Sequence, residues 1–294
     1  MKKIISLSLV AVMLVALVFC FASCGKDKDK EYVAVDASDL LKEDFGIAIK
    51  KGDTAMKTAV DEVVNEWVAN GTMQKYLDYY TDLADYEAGA KDTAPEAGDL
   101  KTSWNFGSNG KITVYTESGF APFEFLSGDD IIGVDIAIMS EVAERQGKTI
   151  EVKDVLFDTI PTCVQTSTGD AVGAAGLTIN EERLAAVDFS AVYYSSTLVI
   201  VSLKDNSYDS LADLKGLKVG VQEGTSGDLI ATDAKADGHK YVNADDQEVT
   251  IKVEIAEISR YKQYSLAFAD LKNGRIDAIV MDKLPALTML NLIG

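Results

Sequence analysis

The side chains able to do chemistry are few and widely spaced. Arg183 follows Glu181 and Glu182 at the head of a short helical stretch, 180–187. A planar guanidinium can grip both oxygens of a carboxylate, although on a helix surface the same residue would simply pair with a neighbouring glutamate. Thr225 and Ser226 come directly after Gly224, where a helix over 226–236 is expected to begin. The free amides of a helix N-terminus suit an anion, and the two hydroxyls equally suit plain N-capping. Asp282 closes an apolar strand just before Pro285, a place for a turn or cap aspartate as much as for a ligand-facing one. Cys24 stands in Phe21-Ala-Ser-Cys-Gly25, behind small residues at the end of an apolar run. His239 is the one histidine, and Cys163 is the only thiol left once Cys24 is modified. They cannot build a His/Cys metal site or an intrachain disulfide. The sequence therefore predicts no metal, no cofactor and no catalytic residue.

The N-terminus reads as an address. Lys2 and Lys3 precede an uncharged apolar stretch over 4–21, and Ala22 and Ser23 stand immediately before Cys24. A basic head, a short apolar run and small residues at a cleavage point make a secretory signal. A cysteine at that point makes it a lipoprotein signal, with Cys24 carrying the lipid and becoming residue one. Residues 1–23 are the expected signal peptide and 24–31 a lipidated, charge-alternating tether. Removing Lys2 and Lys3 takes the net charge from -19 by two more negative units, to -21. So acidic a chain repels nucleic-acid phosphates, which excludes that partner class.

Two blocks of different pattern follow, separated by a Gly- and Pro-containing linker over 88–110. The first has strand-like segments at 32–36 and 45–50. A helix capped by Asp53 comes next, with Met56, Val60, Val63, Val64 and Trp67 at helical spacing, and then a second helix from Thr72. The second block alternates strands at 112–116, 150–155, 172–177, 217–221 and 276–281 with helices at 134–146, 159–165, 226–236 and 266–273. A long extended run, 193–202, interrupts it. Such alternation predicts an α/β fold with parallel-rich sheets covered by helices, and ligands bind at the carboxyl ends of the strands in such sheets.

Eight motifs in order carry a resemblance. Gly119-Phe-Ala-Pro-Phe-Glu-Phe125, Gly133-Val-Asp-Ile136, Phe157-Asp-Thr-Ile-Pro161 and Gly176-Leu-Thr-Ile-Asn-Glu-Glu-Arg183 are followed by Val187-Asp-Phe-Ser190, Leu211-Ala-Asp-Leu-Lys-Gly216, Val219-Gly-Val-Gln-Glu-Gly-Thr-Ser-Gly227 and Gly274-Arg-Ile-Asp-Ala-Ile-Val-Met-Asp282. Together they resemble the polar-amino-acid solute-binding proteins of ABC importers, which have the two-lobed periplasmic-binding-protein type II fold. The resemblance implies a monomer that captures an amino acid between its lobes and delivers it to a membrane permease. It would sit outside the cytoplasm, held to the membrane through the lipid on Cys24. It also implies a site: Arg183 for the ligand carboxylate, with Thr178, the backbone of Gly176, Thr225 and Ser226 adding hydrogen bonds. Asp282 would take the α-ammonium, Phe120 and Phe157 would cover the ligand side chain, and Glu117 would face its far end. Lobe closure is expected about crossovers near 47–51 and 193–197.

One departure concerns order. Family members end with a strand like Glu43-Asp-Phe-Gly-Ile-Ala-Ile-Lys-Lys-Gly52 and two helices, whereas here these come first. The chain therefore resembles a circular permutant, with 88–110 joining the usual family ends. The expected division puts 53–87 and 111–193 in one lobe and 32–52 and 194–294 in the other. Two other functions share the fold, a dehydratase-like enzyme using Glu117 or Glu124 and a sensory module for a separate receptor.

Overall fold

The computed structural model describes residues 31–37, 42–206, 208–242 and 247–293. The expected signal peptide and Cys24 lie outside the described residues. Among the described residues no helix is long and apolar enough to cross a membrane.

The chain opens with strands β1 (Tyr32–Asp36), β2 (Lys42–Phe45) and β3 (Ala48–Lys50) and helices α1 (Thr54–Ala69) and α2 (Thr72–Glu87). Asp53 caps α1 by accepting a hydrogen bond from the amide of Met56 at 3.0 Å. After the linker come β4 (Lys111–Thr116) and a small meander of β5 (Gly119–Phe120), β6 (Glu124–Ser127) and β7 (Asp130–Ile132). Then follow α3 (Val134–Arg145), β8 (Thr149–Asp154), α4 (Ile160–Thr166), β9 (Ala171–Gly173), α5 (Glu181–Ala186), β10 (Val187–Phe189) and the long β11 (Tyr194–Leu203). The last stretch holds β12 (Lys218–Gln222), α6 (Ser226–Ala236), the hairpin β13 (His239–Val242) and β14 (Glu248–Ile251), and β15 (Glu257–Tyr261). It ends with α7 (Tyr264–Lys272), β16 (Ala278–Asp282) and α8 (Lys283–Ile293).

Two mixed sheets organise these elements. One runs β10-β3-β9-β4-β8, with β9, β4 and β8 parallel and β3 antiparallel to both its neighbours. The other runs β1-β11-β16-β12-β15, with β16, β12 and β15 parallel and β11 antiparallel to both neighbours. Each is thus a parallel core with an antiparallel flank, the architecture of a two-lobed type II binding protein. Helices α3 and α4 pack on the first sheet, and α6, α7 and α8 on the second.

Two chain segments cross between the sheets side by side. β2 pairs with the start of β11, from Tyr194↔Phe45 to Thr197↔Lys42, while β3 pairs with β9 and β10. Between them Ser190 N–H donates to Ile47 O at 3.0 Å and Tyr193 N–H to Phe45 O at 3.1 Å. The expected single strand over 45–50 is therefore two, broken at Gly46 and Ile47 where the chain leaves one sheet for the other. A β-carbon on Gly46 would meet Ile179 Cδ1 at 3.0 Å. This corrects the expected division, because residues 48–50 belong to the sheet built from 111–193 and not with 194–294. The crossovers are at 45–48 and 189–194, a few residues ahead of those expected. The strand expected over 172–177 also ends early, at Gly173, because the chain turns into the cleft there.

The early helices are integral to the core. Trp67 of α1 stacks on Tyr76 of α2 with ring centroids 4.5 Å apart, and both are buried together with Ile138, Val142 and Val172. Lys57 Nζ donates to Phe189 O at 2.8 Å, and Asp61 Oδ1 accepts from the amide of Ala191 at 2.6 Å. At the other end of the pair Asn291 of α8 donates to Asp85 Oδ1 at 2.9 Å. The linker over 88–110 is strapped down. Tyr76 Oη donates to Lys101 O at 2.7 Å, Trp104 Nε1 to Glu141 Oε2 at 3.1 Å, and Asn109 N–H to Gly147 O at 2.8 Å.

Candidate functional site

The cleft between the sheets is where the strand ends meet. Past β9 the chain turns at Gly176 (φ +54°), whose amide donates to Asp135 Oδ2 at 3.0 Å. A β-carbon there would lie 2.6 Å from Phe120 Cε1, so the turn needs glycine both for its left-handed backbone and for the ring pressed on it. The turn brings Thr178 to the mouth. Asn180 then caps α5, its side chain accepting from the amide of Arg183 at 2.8 Å.

Arg183 is buried, only 8% exposed. Its Nη1 donates to Thr178 O at 2.8 Å, and its Nη2 reaches across the cleft to Gly224 O at 3.0 Å. The guanidinium carbon stands 5.2 Å from the ring centroid of Phe157, which covers it as a cation–π partner. The surface salt bridge with a neighbouring glutamate does not form. Burial pushes the guanidinium down from its usual pKa, and the nearby carboxyls of Glu43 and Asp282 push it back up.

The other expected residues converge from both sheets. Thr225 is the N-cap of α6, accepting from the amide of Asp228 at 3.3 Å and donating to Gln222 O at 2.8 Å. Ser226 Oγ donates to Thr178 Oγ1 at 3.1 Å, one more contact across the cleft. Phe120 is buried, stacked against Tyr264 with centroids 6.3 Å apart. Glu117, also buried, accepts from Gln222 Nε2 and Gln263 Nε2, each at 3.0 Å, and burial pushes its carboxyl up. A pocket of about 420 Å³ opens beside it, lined by Glu117, Asp154, Leu156, Lys262, Gln263 and Leu266.

Glu43, a residue outside the expected set, takes the centre. Thr178 Oγ1 donates to Glu43 Oε2 at 3.2 Å, and Ser226 stands behind it as the donor to Thr178 Oγ1. Glu43 and Asp282 flank β11, opposite Ser196 and Leu198, so their carboxyls share one face and act on each other. Both pKa values are raised, first by burial and, for Asp282, next by the negative charge of Glu43. The signal that locates Glu43 is the alternation of β2, Lys-Glu-Asp-Phe, in which Glu43 and Phe45 are buried and Lys42 and Asp44 exposed. Gln263 and Tyr264 lie outside the motifs, and Gln222, inside one, carries no assigned role, because their partners come from distant segments.

Chemically the site offers a buried guanidinium, two hydroxyls, a helix N-terminus and a carboxyl pair. Deeper in, Glu124 is fully buried with no partner for either oxygen among the described residues, and burial holds its carboxyl well above the usual range. Among the described residues no group of three or more His, Cys, Asp and Glu side chains is arranged to hold a metal ion.

The profile of the bacterial extracellular solute-binding proteins, family 3, matches residues 112–266. The arginine-binding extracellular protein ArtP of Bacillus subtilis is 41% identical over 115 residues, 39% of this chain and 45% of that protein. The chain therefore spans less than half the length of that relative. ABC transporter arginine-binding protein 1 of Escherichia coli is 30% identical over 186 residues, covering 62% of this chain and 68% of that one. In three dimensions the chain resembles an ancestral arginine-binding protein bound to arginine, with TM-score 0.54, 34% identity, and coverage of 62% of this chain and 74% of that one.

Proposed function

This chain belongs to the bacterial extracellular solute-binding proteins, family 3, and from that membership we propose that it closes on one free amino acid and hands it to an ABC importer. Arg183 and the hydroxyls of Thr178 and Ser226 receive the α-carboxylate, with the N-terminus of α6 at Thr225 behind them. Asp282 receives the α-ammonium. Phe120 and Phe157 bound the side chain, and Glu117 meets its far end. The observation that carries this reading is Arg183, a buried guanidinium without an acidic ion-pair partner within 4 Å among the described residues. Burying a charge so costs several kcal/mol, roughly, unless a counter-charge arrives.

The ligand class is cationic or strongly polar. Glu117 and the neighbouring Asp154 make the far end acidic, and two of the relatives above are named for arginine. Ligand contacts come from both sheets, so the ligand favours the closed state over the open one. The hinge is the pair of crossovers at 45–48 and 189–194.

The protein acts as a monomer, anchored by a lipid on Cys24 to the outer face of the cell membrane or in the periplasm. Its chain is circularly permuted relative to its family, with 88–110 bridging the family's usual ends. Support for the permutation comes from β3, paired inside the first sheet from the front of the sequence, and from the match to the arginine-binding fold, which covers 62% of this chain.

A thermal-shift screen of the twenty common amino acids tests the reading, since a ligand bound only by the folded state raises the melting temperature. L-arginine or another cationic amino acid is expected to give the largest rise. If no amino acid moves the transition, the reading falls.

A further inference from the structure

The space meant for the ligand's backbone is occupied in a telling way. Thr178, one of the groups assigned to the amino acid, donates to Glu43 Oε2 at 3.2 Å, Ser226 donates to Thr178 in turn, and Asp282 lies on the same face as Glu43, the two flanking β11 opposite Leu198 and Ser196. Glu43 is 4% exposed and Asp282 6%. Among the described residues neither carboxyl forms an ion pair, and no protein donor reaches Asp282 Oδ1. The nearest cation, Arg183, turns Nη1 and Nη2 to the carbonyls of Thr178 and Gly224.

We propose that Glu43 is a ligand-binding residue: with Asp282 it forms a two-carboxylate seat for the α-ammonium of the amino acid, which replaces a proton that the two acids share in the empty site. The proposal rests on the amino-acid reading above and extends it to a residue on the crossover strand β2.

The charge count explains the exchange. Two carboxylates in contact and out of water cannot both be charged without a counter-ion, so the empty pair keeps one proton and a charge of -1. An entering ammonium lets both ionise, and the shared proton leaves to solvent. The pair with the ammonium is again -1, so the buried charge is conserved while three directional N–H donors replace one proton. Thr178 is released from Glu43 at the same moment, which turns its hydroxyl, with Ser226 behind it, toward the ligand carboxylate beside Arg183. The other titratable groups facing the pair are Arg183 from α5, Tyr264 from α7, Tyr194 from β11 and Glu124 from β6. Burial keeps Glu124 protonated and both tyrosines neutral across the working range, so none of them supplies the proton. Lys283, next in sequence to Asp282, is tied to Asp36 at 2.6 Å.

The seat also sets specificity. A primary ammonium can bridge two carboxylates, and an acylated nitrogen cannot, so Nα-acetyl amino acids are rejected.

Calorimetry on the mature protein with L-arginine, run at pH 7.5 in phosphate and in Tris, reads the exchange directly. The buffer dependence of the heat is expected to report about one proton released per arginine bound. Glu43→Gln should release almost none and bind at least about tenfold more weakly, and Nα-acetyl-L-arginine should bind neither protein measurably. Unchanged or tighter arginine binding by Glu43→Gln would mean that Glu43 merely competes with the ligand, and would overturn the proposal. Should that variant not fold, the wild-type measurement decides alone, because arginine bound without proton release refutes the exchange. Wild-type protein that binds no amino acid in the thermal screen would sink the underlying reading instead, so the two failures are distinguishable.

Discussion

Truncating Arg183 is the sharpest test of how the cleft works. Arg183→Ala removes two hydrogen bonds from a charged donor, to Thr178 O at 2.8 Å and Gly224 O at 3.0 Å. Those two bonds use two of the five guanidinium N–H donors, which leaves up to three for a ligand carboxylate. A charged hydrogen bond contributes about 1.5–3 kcal/mol, but water entering the vacated mouth of the cleft will satisfy both carbonyls. Folding stability should therefore drop by no more than about 3 kcal/mol, within reach of a domain of ordinary stability. Binding should suffer more. Removing one partner of a buried, hydrogen-bonded charge pair costs roughly 2–5 kcal/mol, and at about 1.4 kcal/mol per decade that is a 30-fold to several-thousand-fold rise in Kd. Arg183→Lys keeps the charge and loses the two-pronged grip, so it should fall between wild type and alanine. The assay is isothermal calorimetry with L-arginine on protein whose circular dichroism matches wild type. A folded alanine variant with wild-type affinity would show that the carboxylate binds elsewhere, and the site as drawn would be wrong.

Gly176→Ala should destabilise the fold by about 1–3 kcal/mol in urea, since the new methyl meets Phe120 Cε1 at 2.6 Å on a left-handed backbone. A loss below about 0.5 kcal/mol would show that the turn is adaptable. Burial raises the Asp135 carboxyl from 3.8 to about 7, against the opposing bonds from Gly176 N–H and Tyr193 Oη. The folded state thus binds this proton more tightly than the unfolded chain. The resulting stability is fully present below pH 4 and is lost as pH rises through 7, by up to about 4 kcal/mol. Asp135→Asn should flatten that part of the stability curve between pH 4 and pH 8, and urea midpoints at the two pH values that differ as much as in wild type would refute the assignment. Trp104→Ala should cost about 1–3 kcal/mol of stability by unpinning the linker from Glu141, while the affinity for arginine stays within twofold. An unchanged melting temperature would mean that the strap contributes nothing.

Much of this protein was legible before any coordinates. Asp53 and Thr225 announced their helices as N-caps, and the spacing of Met56, Val60, Val63 and Trp67 marked the buried face of α1, because capping and helical periodicity are local effects. Arg183, Thr178, Ser226 and Asp282 could be named only through the resemblance of their motifs to a family, since position alone suited a surface arginine or a cap equally well, and the structure links Arg183, Ser226 and Glu43 through Thr178. The resemblance implies that Phe157 covers the ligand side chain, and in the structure its ring lies over Arg183.

The tertiary structure decided what periodicity could not. Local pattern made 45–50 one strand, yet the chain changes sheets at Gly46 and Ile47, since the second sheet claims β2 through β11 and the first claims β3 through β9 and β10. Glu43 stayed hidden for the same reason. Its partners Thr178 and Asp282 are 135 and 239 positions away in sequence, and an acidic residue on a short strand is solvated in most proteins. Propensity, capping and charge act over a few neighbouring residues and can be read along the chain. Which carboxyl faces which, and whether one proton must serve two acids, depends on burial and on contacts between remote segments, and these exist only once the two sheets have met.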